Sequence, residues 1–177
     1  MASHERGPLV VPVTELVRHP GSRKHVCTTA DADGLALPEA RVPDGAPLTV
    51  DVELEALSDG IVVHGTVSAP WVGECRRCLG PAAGEAVAVV EEIYQEHPVT
   101  DEAFTFDGDA IDLGPLAREN LLVELPLAPL CRPDCAGLCP TCGADRNAAP
   151  CSCETAATDI RWGALDALRA QFDPPVP

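Results

Sequence analysis

The chain has 177 residues, of which 46% are apolar and only 3% aromatic, so it can fold as one aliphatic-cored domain with a small appended module. Its net charge of −16 excludes a protein that grips naked RNA mainly by displacing counterions. No apolar signal region follows Met1 and no stretch reaches the ~18 apolar residues of a membrane helix, so we expect a cytoplasmic protein without membrane contact.

The predicted strands lie in the first half of the chain. Residues 9–13 read as an edge strand, because Pro12 cannot donate to a ladder. Residues 48–55 alternate apolar and polar side chains, and a turn at residues 58–60 leads to a return strand over residues 61–67. A proline-rich connector precedes this hairpin, and a third strand is expected over residues 86–94.

Two helices are predicted in the second half. The first begins at Gly114-Pro115, presents Ala117, Leu121 and Leu125 on one face, and ends at Pro126. The second begins at Thr158 or Asp159 and carries an apolar stripe that consists of Trp162, Leu165, Leu168 and Phe172. The fold class is therefore α+β, with an antiparallel sheet or small open barrel, a C-terminal zinc knuckle and flanking helices. We divide the chain into a core domain (1–127), a cysteine-rich knuckle (128–156), and a C-terminal helix and tail (157–177).

Six of the nine cysteines lie in one segment of 23 residues: Cys131, Cys135, Cys139, Cys142, Cys151 and Cys153. In Cys139-Pro-Thr-Cys142-Gly143 a tight turn can aim two thiolates at one ion, and Gly143 permits the positive φ such a turn needs. Four of the six are predicted to hold a structural Zn²⁺, with Cys139 and Cys142 at the centre of the site. Two zinc ions with bridging sulfurs, an iron–sulfur cluster, incidental thiols and a disulfide framework are the alternatives.

A separate pair, Cys75 and Cys78, encloses two arginines. The pair could bind a second metal, join the later cysteines, act as a redox dithiol, or be structural. Arg76 and Arg77 are predicted to project from the tip of the turn and contact a partner; alternatively, they pair with acids such as Glu74. Cys27 has no neighbour of its kind and is predicted to lie in the core.

Negative charge is concentrated in the middle of the chain. Residues 85–124 contain eleven acids and one base, a local charge of −10. Such a surface favours a basic protein partner, and Glu91, Glu92 and Glu96 are the candidate contacts; solubility alone is the alternative. The histidines are scattered, and the sequence contains no hydrolase, nucleotide-binding or metalloprotease motif, so we expect no enzymatic activity and no small-molecule substrate.

Several segments together resemble one known family. The run 74–78 is similar to the family's Glu-Cys-x-Arg-Cys element, and the runs 111–113 and 119–126 are similar to its helix. The run 135–143, with Asn147, Cys151 and Cys153, is similar to the tail of the cysteine-bearing members. The run 159–162 is similar to the closing helix, where Ile160 replaces a usual proline. The chain resembles the YceD family of large ribosomal RNA subunit accumulation proteins. The resemblance implies a role in synthesis, processing or stability of 23S rRNA, with a basic large-subunit ribosomal protein or a pre-50S particle as partner and only indirect or local rRNA contact. A zinc–thiolate redox sensor is the alternative function.

Overall fold

In the computed structural model, the residues described are 7–98, 103–153 and Leu165. This part of the chain has an α+β fold with a sheet-rich core and two helices. No helix in it is both long and apolar enough to cross a membrane. The elements are β1 (Val10–Pro12), α1 (Thr14–Val17), β2 (Arg23–Asp31), β3 (Ala40–Arg41), β4 (Pro47–Ala56), β5 (Ile61–Glu74), β6 (Pro81–Gln95), β7 (Phe104–Thr105), β8 (Ala110–Asp112) and α2 (Leu113–Glu124).

The main sheet has the strand order β2-β4-β5-β6-β7, and β3 pairs with the far end of β5. All of its pairs are antiparallel except the short β6–β7 pair. The predicted hairpin of residues 48–55 and 61–67 is confirmed as β4 and β5. Both β5 and β6 are longer than their apolar patterns indicate, and their unbroken register runs from Ile61↔Tyr94 to Glu74↔Pro81.

The sheet has one buried face and one solvated face. The apolar side chains of β4 alternate with polar ones, and Val50, Val52 and Leu54 are buried. Gly65 lies where β5 runs tightly against β4, because a Cβ there would collide with the backbone carbonyl oxygen of Asp51. The solvated face carries the polar residues of β4, and on β6 it also carries exposed valines.

The strand β2 was missed by the sequence analysis. It pairs antiparallel with β4 over its whole length, from Arg23↔Glu55 to Asp31↔Pro47. No residue of β2 is fully buried, so its alternation is too weak to stand out as a strand pattern. The prediction for Cys27 was wrong, because this side chain lies on the exposed face of β2 and not in the core.

The helix α2 covers the buried face of the sheet, where it packs mainly against β6. The side chain of Asp112 caps it by accepting a hydrogen bond from the Gly114 amide at 2.9 Å. The predicted apolar face is confirmed, since Ala117, Leu121 and Leu125 are all buried. The backbone becomes extended at Leu125, as expected for a residue that precedes proline.

The N-terminal strand is tied to this core close to the start of α2. The predicted N-terminal strand is confirmed as β1, which pairs with β8 just before α2. Nearby, the buried Tyr94 donates a hydrogen bond to the Asp112 carbonyl oxygen at 2.8 Å. The helix predicted from residue 158 lies outside the described residues except for Leu165, which is helical and half exposed. The domain boundaries at 127 and 156 stay a prediction.

Candidate metal centres

Eight cysteines come together as two groups of four. In each group the four Sγ atoms lie within 4.8 Å of one another. The first cluster consists of Cys75, Cys78, Cys131 and Cys135, and the second consists of Cys139, Cys142, Cys151 and Cys153. The structure thus brings four of the six predicted C-terminal ligands together and places the other two with the earlier Cys-x-x-Cys pair.

The sulfur spacing fits a tetrahedral ion. Sulfurs at about 2.3 Å from a central zinc lie about 3.8 Å from each other. In the first cluster the Cys75 and Cys135 sulfurs are 3.8 Å apart, and those of Cys78 and Cys131 are 3.7 Å apart. These distances are far too long for disulfide bonds and match the edges of a four-thiolate tetrahedron.

The first Cys-x-x-Cys pair forms the tight turn that joins β5 to β6. The Cys75 amide donates to the Gly80 carbonyl oxygen at 2.8 Å, and the Leu79 amide donates to the Cys75 carbonyl oxygen at 2.8 Å. Leu79 has a φ of 59°, which is costly for a residue with a side chain. The turn aims the thiols of Cys75 and Cys78 at one point.

The second pair repeats this turn. The Cys139 amide donates to the Ala144 carbonyl oxygen at 2.8 Å, and the Gly143 amide donates to the Cys139 carbonyl oxygen at 2.9 Å. Gly143 has a φ of 72° and occupies the position of Leu79 in the first turn. Both pairs are therefore the same knuckle, and the structure supports the alternative in which Cys75 and Cys78 join later cysteines in a metal-binding group.

Main-chain hydrogen bonds bring the later cysteines to the first knuckle. The Arg76 amide donates to the Pro129 carbonyl oxygen at 3.0 Å, and the Leu138 amide donates to the Arg77 carbonyl oxygen at 2.9 Å. These two bonds lay residues 129–138 along the β5–β6 turn. They position Cys135, which is buried, beside Cys75, which is also buried.

The two arginines of the knuckle have different surroundings. The Arg77 guanidinium donates to the Cys135 carbonyl oxygen at 2.9 Å, so it holds the two halves of the first cluster together. The Arg76 side chain is exposed and, within residues 7–98 and 103–153, forms no hydrogen bond or ion pair. Neither arginine pairs with Glu74 in this part of the chain. A partner contact by either arginine stays a prediction.

Asn147 links the two clusters. Its side-chain oxygen accepts from the Ala136 amide and from the Arg132 guanidinium, both at 2.8 Å. Its side-chain nitrogen donates to the Cys135 sulfur at 3.4 Å, although Asn147 lies between the ligands of the second cluster in sequence. Sequence reasoning assigned this residue no role, since only the fold brings it to Cys135.

Backbone amides prepare one thiol in each cluster for metal binding. The Cys131 amide and then the Cys78 amide lower the pKa of the Cys75 thiol to about 6. The Cys142 and Thr141 amides likewise lower the pKa of Cys139 to about 6. Since the thiolate is the metal-binding form, these amides favour the state that an ion requires.

In each cluster a further thiol has a raised pKa and therefore keeps its proton more readily. The hydrogen bond with Cys135 raises the pKa of Cys131 to about 12, and the hydrogen bond with Cys142 raises that of Cys153 to about 12. Four adjacent thiolates repel one another, so a cluster without a cation keeps part of its protons. A divalent ion would remove this repulsion, and the donor sets therefore fit a thiolate-binding metal.

The predicted acidic contacts do not share one face. Glu91 is exposed on the solvated face of β6, whereas Glu92 lies on the opposite side of the strand with the same parity as buried Tyr94. Glu96 follows the end of β6, and its carboxylate lies against Gly108. One partner surface could contain Glu91 without the other two.

Comparison with known proteins agrees with the resemblance seen in the sequence. The family model described as large ribosomal RNA subunit accumulation protein YceD matches residues 63–169, a span that includes both cysteine clusters. An uncharacterized protein of Mycobacterium tuberculosis (strain ATCC 25618 / H37Rv) is 36% identical over 170 residues, covering 92% of this chain and 82% of that protein.

The plant relatives carry the family name. The large ribosomal RNA subunit accumulation protein YCED homolog 1, chloroplastic, of Arabidopsis thaliana is 26% identical over 164 residues, which cover 73% of this chain and 51% of that protein. Its Zea mays counterpart of the same name is 26% identical over 143 residues, 61% of this chain and 49% of that protein. No solved structure matches the chain. Because the family model matches more than half of its residues, the chain belongs to the YceD family of large ribosomal RNA subunit accumulation proteins.

Proposed function

We propose that the chain is a non-enzymatic factor that supports the accumulation of large-subunit (23S) rRNA, and that each of its cysteine clusters holds one structural zinc ion. The observation that carries the proposal is the family match over residues 63–169, which contains all eight clustered cysteines. The sequence alone predicts one ion drawn from six cysteines, whereas the geometry supports two ions drawn from eight.

The donor sets support zinc in a structural role. Four thiolates are the ligands of structural zinc sites, and they leave no coordination position for a substrate. The first ion would hold residues 131–135 against the β5–β6 turn, and the second would close the loop of residues 139–153. The protein would supply thiolates and amide donors, and the ion would supply charge and tetrahedral geometry.

The charge distribution supports a basic partner. The net charge is −16, and the solvated face of the sheet carries acids on β4 and β6. On β4, Asp51 contacts His25 and Glu53 pairs with Arg23, whereas Glu91 on β6 forms no ion pair within the described residues. A basic large-subunit ribosomal protein, or a pre-50S particle that displays one, would be attracted to this face. On the same molecule Arg76 is an exposed cation whose side chain has no partner among residues 7–98 and 103–153, so its rRNA contact would be local and would follow docking.

The experiment that tests the function is removal of the gene and complementation with the full chain. We expect the ratio of 23S to 16S rRNA to fall and to recover with the wild-type protein, and the tagged protein to sediment with 50S precursors. A normal ratio in the deletion strain, together with no association with precursors, would overturn the proposal. Elemental analysis of the folded, reduced protein is expected to find about two zinc ions per chain; none would end the metal assignment.

A redox role is the second candidate, and one observation favours it. Each cluster has one exposed thiol, Cys131 in the first and Cys142 in the second. The second cluster is the more open of the two, because only one of its thiols, Cys139, is buried, whereas the first cluster has two buried thiols. Exposed zinc thiolates oxidise more readily than buried ones. If this candidate is correct, mild peroxide should release the second ion first and change the association with precursors. Release of zinc without any change in association would exclude it.

A further inference from the structure

The outer edge of β6 is open over most of its length. On one side β6 pairs with β5 from Pro81 to Tyr94, without a bulge. On the other side, β7 reaches only Tyr94 and Gln95. Within residues 7–98 and 103–153, the edge from 81 to 93 therefore has no strand partner, and no other backbone hydrogen bond covers it. Such an edge offers a row of free amide and carbonyl groups to another extended chain.

The opposite edge of the sheet shows what this one lacks. Strand β2 carries the exposed Arg23 and His25 on one face and the half-buried Lys24 on the other, and charged side chains of this kind keep edges from pairing. Strand β6 has no lysine or arginine, and after Pro81 it has no proline. The β6 edge is thus long, regular and free of basic side chains.

The solvated face beside this edge is both apolar and acidic. Val87 is 47% exposed and Val89 is 80% exposed, an unusual exposure for valines in a central stretch of strand. Glu85 and Glu91 flank them on the same face and form no ion pair within the described residues. The order along this face is therefore acid, valine, valine, acid at every second residue.

We propose that the β6 edge binds an extended basic segment of a partner protein by strand addition. The backbone of the segment would continue the sheet, its apolar side chains would contact Val87 and Val89, and its lysines or arginines would face Glu85 and Glu91. This inference rests on the proposed function and refines it, because it names the surface and the binding mode for a basic ribosomal partner. The helix α2 packs on the buried face and leaves the edge accessible.

Charge argues against a second copy of this chain as the occupant. Antiparallel pairing of two β6 edges about Ala88 would place Glu85 opposite Glu91 twice, and like charges directly opposite each other are destabilising. Two chains of charge −16 would also repel at a distance. With a basic segment as the occupant, Glu85 and Glu91 would each face a lysine or arginine, and both contacts would be attractive.

The test uses the full chain and a synthetic peptide of about nine residues that carries lysine, valine, valine and lysine at every second position and threonine at the positions between, so that these four side chains lie opposite Glu91, Val89, Val87 and Glu85. We expect binding by fluorescence anisotropy, and protection from hydrogen exchange at the outward amides of β6. The same peptide methylated at alternate backbone nitrogens cannot donate to the edge and should bind about tenfold more weakly. A glutamate–valine peptide should not bind.

Two double variants separate position from charge. Glu85→Lys with Glu91→Lys should weaken binding about tenfold. Asp31→Lys with Asp33→Lys makes the same charge change at exposed positions beside the other edge, and should alter binding by less than about twofold. Equal weakening by both pairs, or equal binding of the methylated peptide, would reduce the interaction to charge attraction and overturn the proposal. So would outward β6 amides that are already protected in the free chain, since another part of the chain would then occupy the edge.

Failure of this inference is distinguishable from failure of the proposed function. Absent peptide binding with a lowered 23S to 16S ratio in the deletion strain would reject the edge and keep the function. Peptide binding with a normal ratio would reject the function and keep the edge as a binding surface.

Discussion

Replacing Cys135 by serine should detach residues 128–138 from the β5–β6 turn without unfolding the sheet. Cys135 is the buried ligand that the first cluster takes from this segment. Its loss leaves three thiolates and a hydroxyl, which is a poor ligand for zinc. The segment would then depend on its hydrogen bonds alone.

The magnitude follows from the contacts of this segment. Ordering the eleven residues 128–138 costs about 11 kcal/mol, at about 1 kcal/mol per residue. Three hydrogen bonds of 3.0 Å or shorter join the segment to the turn through Arg76, Arg77 and Leu138, and a fourth, from the Arg77 guanidinium to the Pro133 carbonyl oxygen, is 3.5 Å long. Together they return about 3 kcal/mol, most of it from the three shorter bonds. A structural zinc ion contributes about 10 kcal/mol at the low end of its range, so the docked state is favoured by about 2 kcal/mol with the ion and disfavoured without it.

Hydrogen exchange of single amides measures this directly. The reporter is the Arg76 amide, which donates to the Pro129 carbonyl oxygen. In Cys135→Ser it should exchange at nearly the rate of an unprotected amide, while the amides of β4 keep their protection. The matched control is Cys153→Ser, which removes a ligand of the second cluster and should instead expose the Gly143 amide. A protected Arg76 amide in zinc-free Cys135→Ser, or equal exposure of it in both variants, would refute the reasoning.

Three further predictions follow from single side chains. Arg77→Ala should lower the melting temperature, because about 2 kcal/mol of charged hydrogen bonding to the Cys135 carbonyl oxygen is lost. Arg76→Ala should leave the melting temperature unchanged and weaken only the association with 50S precursors. Burial raises the pKa of the Tyr94 hydroxyl, so the stabilisation it gives is complete below the ordinary tyrosine pKa of about 10 and is lost as the pH rises toward the folded value. In urea unfolding, Tyr94→Phe should therefore be less stable than the wild-type protein at pH about 8. Above pH about 10 the variant should lose less stability than the wild-type protein does. Gly143→Ala should weaken zinc binding at the second cluster by about 1 kcal/mol in a chelator competition, because the backbone φ of residue 143 is positive. Leu79→Gly changes the equivalent position of the first knuckle and should show no loss of zinc affinity.

The sequence by itself determined the parts of the protein that depend on local patterns. Alternation along residues 48–55 specified the β4–β5 hairpin, since a side-chain period of two with one apolar face suits only a half-buried strand. The apolar face of α2 and its end before Pro126 follow from helical periodicity and proline sterics. The second knuckle was visible because Gly143 marks the turn that its two thiols need.

Only the tertiary structure decided how the cysteines are shared. Cys75 and Cys135 are 60 residues apart, and nothing in their spacing indicates that the β5–β6 turn and the segment after α2 meet. The contact between this turn and this segment also decided that the Arg77 side chain donates to the Cys135 carbonyl oxygen while the Arg76 side chain stays exposed. The two arginines are neighbours in sequence, so their residue types alone do not distinguish them. Strand β2 belongs to this class as well, because its residues pair with β4 through backbone hydrogen bonds that carry little trace in side-chain type.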